Sequence, residues 1–133
     1  MSMLAGMDPI HILQAEVCRT LSHPARIAAL HLLANGPLTV SALSRALGIS
    51  QPNASQHLSL MRAAGLVEAE RDGREVTYRL ADPDVISACD LMARVMRNRL
   101  ARMADLSAQL DGTAASSNSV TAANLASWTG RRS

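Results

Sequence analysis

The sequence predicts a mostly α-helical fold that carries one small β-hairpin. Leu, Ile, Val, Met and Ala supply most of the apolar residues, which make up 48% of the chain, whereas Trp128 and Tyr78 are its only aromatic residues. A core built from such side chains favours packed helices. Apolar residues recur at helical spacing over most of the chain, and only residues 66–80 change to strict alternation.

Two helices are predicted within residues 9–33, separated by a break at Pro24. Proline suits the first turn of a helix and disfavours helical geometry at the residue before it, so Ser22 or His23 is expected to cap the second helix. Gly36, followed directly by a proline, then ends that helix. The apolar residues at helical spacing are Ile12, Leu13, Val17, Leu21, Ile27, Leu30 and Leu33.

Two shorter helices joined by a tight turn at Gly48 are predicted next. Thr39 is placed to cap the first helix, and Ser50 is placed to cap the second, whose first turn contains Pro52. Gly65 ends the second helix. Such a pair of helices is a helix-turn-helix. The residues expected to face the core are Val40, Leu43, Leu47, Ala54, Leu58 and Met61.

A β-hairpin follows the helix-turn-helix. Apolar and polar residues alternate on both sides of Asp72-Gly73, and this dipeptide between two alternating segments is a strong hairpin signal. A last helix is expected from Val85 to about Leu110. Residues 112–133 are rich in Ser, Ala, Thr and Asn without a periodic apolar pattern, so we expect a disordered tail after a single domain of residues 1–111.

The second helix of the helix-turn-helix carries polar side chains on the face that its apolar residues leave exposed. Asn and Gln can each form two hydrogen bonds with adenine in a DNA major groove, and Ser and His can bond bases or phosphates. The face has no acidic residue to repel phosphates. A solvated, amide-rich face is the alternative interpretation of such a helix taken alone. The candidate DNA-binding residues are Ser50, Gln51, Asn53, Ser55, Gln56, His57 and Arg62.

The hairpin after this helix favours the DNA interpretation. Arg71 and Arg74 lie near its tip, where long guanidinium side chains reach phosphates or the minor groove. Exposed arginines at a turn are ordinarily solvated, and Glu70, Asp72 and Glu75 beside them weaken the positive charge. A hairpin directly after a DNA-reading helix is a wing, however, so we expect Arg71 or Arg74 to contact phosphate.

The span from Val17 to Leu80 resembles the ArsR family of winged helix-turn-helix repressors. The resemblance implies a homodimer whose first and last helices pack across a two-fold axis. The two recognition helices of such a dimer would bind an inverted-repeat operator in double-stranded DNA. It also implies release of the DNA when a metal, oxidant or other signal is sensed. The motifs that carry it are SHPAR at 22–26, LGISQPNASQHL at 47–58, MRAAGLV at 61–67 and DGREVTYRL at 72–80.

Two metal sites of that family are not matched by this sequence. One uses a CVC-like pair of cysteines before the reading helix, where Thr39 and Ser41 stand here, and hydroxyls do not replace thiolates as soft-metal ligands. The other uses Asp and His ligands on the last helix. Asp84 matches the first ligand of that site. The remaining ligand positions correspond approximately to Ile86, Arg97 and Leu100, which do not match the ligands of that site. We therefore expect no metal and no cofactor.

Cys18 and Cys89 are the only cysteines, and without CxxC spacing they indicate reduced thiols rather than a disulfide scaffold or a zinc site. One interpretation is that both are small apolar residues buried where the first and last helices meet. The other is a redox-sensing pair, because the resemblance places those two helices against each other. Thiol oxidation is therefore one candidate for the signal.

No catalytic constellation is present, so we do not expect an enzyme. Ser55 and His57 lie too close along one helix to face each other as nucleophile and base. The alternative function is a winged protein-interaction and dimerisation module without specific DNA binding. The chain lacks a long apolar segment and a secretion signal, which favours a cytoplasmic protein. All 13 basic residues are Arg, and the net charge of +2 is too small to identify a partner by itself.

Overall fold

A computed structural model describes residues 6–112, and its fold is the expected one: mostly helical with a small antiparallel sheet. Most of the sequence predicted as a tail, residues 113–133, lies outside the described residues. No helix in the described part of the chain is long and apolar enough to cross a membrane. The elements are α1 Pro9–Thr20, α2 Pro24–Leu33, β1 Leu38–Thr39, α3 Val40–Leu47, α4 Gln51–Ala63, β2 Val67–Asp72, β3 Glu75–Leu80 and α5 Asp84–Asp111.

The chain divides into two compact units at Ile86. The described part of the first unit holds α1 to α4, the three strands and the first residues of α5. In the second unit the structure describes the remainder of α5, a helix of 28 residues in all. The helix-turn-helix and the hairpin therefore belong to the same unit, and the geometry between them is defined.

The predicted helix caps are present. The Thr39 hydroxyl accepts a hydrogen bond from the backbone amide of Ala42 at 3.1 Å, and the Ser50 hydroxyl accepts one from that of Asn53 at 3.2 Å. Gly48 ends α3 in a left-handed conformation with φ of 69°, which glycine adopts without steric cost. His23 occupies the cap position of α2, but its side chain makes no capping hydrogen bond. The ring is therefore available for other contacts.

The core of the first unit lies between α2, α3 and α4. Its largest fully buried side chains are Leu30, Leu43, Leu58 and Met61, one or two from each of these helices. The three predicted core residues of α4 are all buried, which confirms its apolar stripe. In α3 the predicted stripe is partly wrong, because Leu47 is only half-buried and Ser44 is buried instead.

The sheet contains a strand that the sequence did not reveal. Its order is β1-β3-β2, and the two residues of β1 pair with Tyr78 and Thr77 of β3. Two residues are too few to produce an alternating pattern, so β1 left no periodic signal. Thr39 both ends β1 and caps α3, and the start of α3 is thereby attached to the hairpin.

The hairpin turn lies one residue later than the Asp72-Gly73 signal suggested. Asp72 pairs with Glu75, so the turn consists of Gly73 and Arg74. Gly73 has a φ of 64°, and no residue other than glycine has a positive φ among the described residues. A positive φ at only the first central residue is the pattern of a type II′ turn. The consequence is that Arg74 occupies the tip itself.

The two leucines of α4 provide a direct test of this packing. Leu58 is 1% exposed and Leu60 is 45% exposed, although both lie on the same helix. We expect Leu58→Ala to lower the free energy of unfolding by about 2–5 kcal/mol, because it removes buried apolar surface and leaves a cavity. Leu60→Ala is expected to cost less than about 1 kcal/mol. Urea denaturation of both variants at one protein concentration measures the difference, and equal losses would contradict the assigned orientation of α4.

Candidate DNA-binding surface

The exposed face of α4 is polar and held in a fixed orientation. Ala54, Leu58 and Met61 are buried, and this stripe determines how the helix is rotated against the core. Side chains three or four positions apart share a helix face, so the opposite side of α4 points to solvent. Six of the predicted binding residues are exposed: Ser50, which caps the helix, and Gln51, Asn53, Ser55, Gln56 and Arg62 of α4.

The sequence around α4 is free of acidic residues. Residues 17–67 contain no Asp or Glu, whereas Arg19, Arg26, Arg45 and Arg62 lie within them. A region that spans α2, α3 and α4 therefore carries only positive formal charge. Because a DNA backbone is a dense array of phosphates, such a region meets it without carboxylate repulsion.

We call the whole hairpin, residues 67–80, the wing. Its tip lies beside the starts of α3 and α4. A groove of about 360 Å³ separates them, and Arg74, Gln51 and Ser55 are among the residues that line it. The amino-terminal end of a helix carries a partial positive charge. Arg74 and the first turn of α4 thus contribute positive charge to the same groove, and Glu75, which also lines it, contributes a negative charge. Arg71 lies on β2 opposite Val76 and is exposed.

Two of the acidic side chains on the wing are paired with an arginine. Arg79 contacts Glu68 with 3.2 Å between Nε and Oε1, and it contacts Glu70 with 3.6 Å between Nη1 and Oε2. Exposed ion pairs of this kind contribute little to stability. Arg79 thereby offsets one of these two negative charges on the wing. Asp72 and Glu75 stand opposite each other beside the turn.

His57 differs from the other predicted binding residues because it is half-buried and hydrogen-bonded within the protein. The Nε of Arg26 donates to the Nδ1 of His57 at 2.9 Å, and the Nη1 of Arg26 donates to the backbone carbonyl of Thr20 at 2.8 Å. Arg26 is only 9% exposed. One buried guanidinium therefore connects the end of α1, the first turn of α2 and the middle of α4.

The surroundings of His57 favour its neutral form. Burial lowers the pKa of His57 most, and the nearby Arg26 and His23 lower it further. The rings of His23 and His57 lie with their centroids 5.7 Å apart and their planes inclined by 52°. A proton on Nδ1 would also point at the donor group of Arg26. The lowered pKa and the hydrogen bond from Arg26 therefore both favour the neutral ring of His57.

Sequence comparison gives the family. The model for "Bacterial regulatory protein, arsR family" matches residues 23–69, which include α2, the helix-turn-helix and the start of the wing. The HTH-type transcriptional regulator Rv0081 of Mycobacterium tuberculosis is 41% identical over 106 residues, which cover 76% of this chain and 93% of that protein. The chain belongs to the ArsR family of bacterial regulatory proteins.

Solved structures of other regulators share the fold. The crystal structure of M. tuberculosis Rv0081 aligns with a TM-score of 0.59 at 39% identity and covers 69% of this chain and 97% of that one. The winged helix-turn-helix domain of Mb0332 from Mycobacterium bovis, described as homodimeric and DNA-binding, aligns with a TM-score of 0.63 at 33% identity. That alignment covers 72% of this chain and 93% of the Mb0332 domain. The winged helix-turn-helix architecture of this ArsR-family chain is thereby confirmed.

The two cysteines of this ArsR-family chain differ in their surroundings. Cys18 is exposed on α1, whereas Cys89 is half-buried on α5, and both are free thiols. Burial raises the pKa of Cys89, and the Asp90 carboxylate raises it further. For Cys18, exposure does not match the interpretation as a buried apolar residue within one chain. Between residues 6 and 112 no three His, Cys, Asp or Glu side chains are close enough together to hold a metal ion.

Sequence reasoning missed Arg26 and His23 as parts of this surface. Arg26 and His57 are 31 positions apart in the sequence, so no local sequence pattern indicates that they are in contact. The only available signal was the SHPAR motif, in which an arginine falls on the side of α2 that also carries Leu30 and Leu33. A cation on an otherwise apolar helix face indicates a buried hydrogen-bonded group.

The lowered pKa of His57 predicts acid sensitivity of the fold. As pH falls below about 6.5, the unfolded state takes up the His57 proton before the folded state does, so the free energy of unfolding decreases. His57→Gln removes this titration while the other three histidines remain. Urea denaturation of both proteins between about pH 8 and pH 5 measures the effect. The wild type should lose more stability over this range, and identical pH dependence of the two proteins would contradict the assignment.

Proposed function

We propose that this chain is a homodimeric transcriptional repressor that binds an inverted-repeat DNA operator and leaves it in response to a chemical signal. The observation that carries the proposal is the exposed, acid-free polar face of α4 beside the arginine at the wing tip. The DNA-binding and dimerisation domain of this proposal spans residues 1–111. Such a protein acts in the cytoplasm, where bacterial DNA lies.

The chemistry of α4 matches the major groove. The groove is about 12 Å wide and admits one α-helix, whose side chains then reach the base edges. Gln51, Asn53 and Gln56 offer amide groups that pair with adenine through two hydrogen bonds. Residues near the start of a reading helix make most base contacts in helix-turn-helix proteins, and these three lie in its first two turns.

The wing supplies the phosphate contacts in this proposal. Arg74 lies across a groove from Gln51 and Ser55, so a helix that enters the major groove brings the wing tip to the adjacent backbone. Contacts of arginine with phosphate contribute affinity but little sequence information. The pairing of Glu68 and Glu70 with Arg79 supports this approach, because it reduces the negative charge near the phosphates.

The dimer follows from apolar surface that is uncovered in one chain. Neither α1 nor α5 has a buried residue. Even the apolar residues Ile10 and Leu13 of α1 are 59% and 56% exposed. An apolar stripe along a 28-residue helix marks an interaction site. A second copy of this chain is the proposed occupant, supported by the homodimeric relative Mb0332. The exposed large apolar residues of α5 are Leu91, Met92, Val95, Met96, Met103, Leu106 and Leu110.

Two symmetry-related copies of α4 require a symmetric operator. One short helix reads only a few base pairs, so specificity needs two copies in successive major grooves about 34 Å apart. Selection of bound sequences from random duplexes tests the function, and an inverted repeat is the result that supports it. A protein that enriches no sequence would instead be the winged protein-interaction module, the alternative that keeps the dimer and loses the DNA.

The separate roles of α4 and the wing predict different defects. Gln56→Ala should lose about 1–3 kcal/mol of discrimination at one base position of each half-site, because a base contact is removed. Arg74→Ala should weaken binding to all sequences alike and reduce the salt dependence by about one unit of slope per site. Binding titrations at several salt concentrations measure both effects. Arg74→Lys is the matched control that keeps the charge, and a change of base preference in Arg74→Ala would contradict the assignment.

Thiol oxidation is the candidate signal in this proposal. The exposed Cys18 is accessible to an oxidant, whereas the raised pKa of Cys89 keeps that residue in the less reactive thiol form. Cys89 precedes Met92 by three positions and Met96 by seven, so it lies on the apolar side of α5. A reaction at either cysteine would therefore occur on a helix that the proposed dimer interface uses.

Peroxide treatment tests this signal. Oxidation of Cys18 to a sulfenic acid, followed by attack of the Cys89 thiol with release of water, forms a disulfide. We expect peroxide to lower the operator affinity of the wild type and to leave that of Cys18→Ser unchanged. Gel-shift assays and non-reducing gels measure affinity and crosslinking. Unchanged affinity of the oxidised wild type would contradict a sensing role for the cysteines.

A further inference from the structure

The hydrogen bond from Arg26 determines which nitrogen of His57 carries the proton. Arginine has only donors, so the Nδ1 that faces its Nε must accept and cannot itself be protonated. A neutral imidazole then carries its proton on Nε2. The buried guanidinium is held in place by its second bond, to the carbonyl of Thr20. The tautomer of His57 is therefore fixed from inside the protein.

The Nε2 of His57 is accessible from outside the protein. It has no hydrogen-bond partner among residues 6–112, and no side-chain nitrogen or oxygen in that part of the chain is both buried and without a partner. Because Nε2 lacks a partner, it is not buried. His57 also follows Asn53 by four positions, which places both side chains along the same edge of α4.

We propose that Arg26 is a positioning residue for DNA recognition, which holds His57 as the neutral Nε2–H tautomer so that α4 presents an N–H donor to an acceptor atom of the DNA. The acceptor is a phosphate oxygen or an acceptor on a base edge, such as N7 of a purine. This inference rests on the proposed DNA-binding function and adds to it a residue that does not itself reach the DNA.

The charges around His57 are consistent with this role. Arg26 from α2 and His23 from the cap of α2 are the groups that act on the ring, and both disfavour a second positive charge there. No carboxylate lies within residues 17–67 to favour the charged ring. The donor is therefore a neutral N–H whose orientation the protein determines. Lysine would not replace Arg26, because a single ammonium does not reproduce the planar fork that serves two acceptors.

Two amide substitutions of His57 separate the two ring nitrogens. In His57→Asn the side-chain oxygen takes the place of Nδ1 and keeps an acceptor for Arg26, while the distal donor is lost. In His57→Gln the amide reaches the position of Nε2 and keeps a donor, while the acceptor for Arg26 is lost. A purely structural His57 and a DNA-contacting His57 therefore respond oppositely to this pair of variants.

The test combines nitrogen NMR of the histidine rings with DNA binding and urea denaturation. We expect His57 of the free wild type to be the Nε2–H tautomer at pH 7. His57→Asn should bind the selected duplex about three- to tenfold more weakly, the loss of one hydrogen bond, with near wild-type stability. His57→Gln should be less stable but retain more affinity. An Nδ1–H tautomer, or equal affinity of His57→Asn and the wild type, would overturn the proposal.

A second duplex distinguishes a phosphate acceptor from a base acceptor for the His57 hydrogen bond. If His57 donates to phosphate, His57→Asn weakens binding to the selected duplex and to an unrelated duplex by the same factor. If it donates to a base, the loss is confined to the selected duplex. Both results support a hydrogen bond from His57 to the DNA. Failure of the wild type to bind any duplex would refute the DNA-binding function itself, whereas the NMR result tests the tautomer independently.

Discussion

The buried guanidinium of Arg26 is the constraint on which the position of α4 depends. Removing a cation from water costs several kcal/mol unless hydrogen bonds compensate for it. Here the carbonyl of Thr20, at the partially negative end of α1, and the neutral ring of His57 supply the acceptors. Because neither acceptor can be lost without leaving a buried donor unpaired, α1, α2 and α4 are held together at one point.

The remaining geometry of the surface follows from the core and the sheet. The buried stripe of α4 determines which side chains face outward, and the Ser50 cap determines where that face begins. β1 pairs with β3 through Thr39 and Thr77, so the start of α3 is tied to the wing. Arg74 and the first turn of α4 consequently line one groove. The proposed DNA-binding surface is thus built from elements that are distant in the sequence.

Local patterns predicted the parts of this structure that depend on local physics. The caps at Thr39 and Ser50, the apolar stripe of α4 and the two strands of the wing all have signals within a few residues. The turn was displaced to Gly73-Arg74, because strand pairing rather than the dipeptide decides the register. β1 was too short for a pattern, and the contact of Arg26 with His57 joins residues 31 positions apart. Such contacts are set by packing, which a single sequence does not display.

The most direct measurement of the central claim is a titration of the nitrogen-labelled protein with its selected duplex, followed through the side-chain amide signals. The signals of Gln51, Asn53 and Gln56 should shift together, since all three side chains are exposed on α4. Gln14 on α1 and Gln109 on α5 are internal controls, because neither is expected to contact the DNA and their amide signals should not shift. Shifts confined to Gln14 and Gln109, with the amides of α4 unchanged, would contradict the assignment of α4 as the DNA-reading helix.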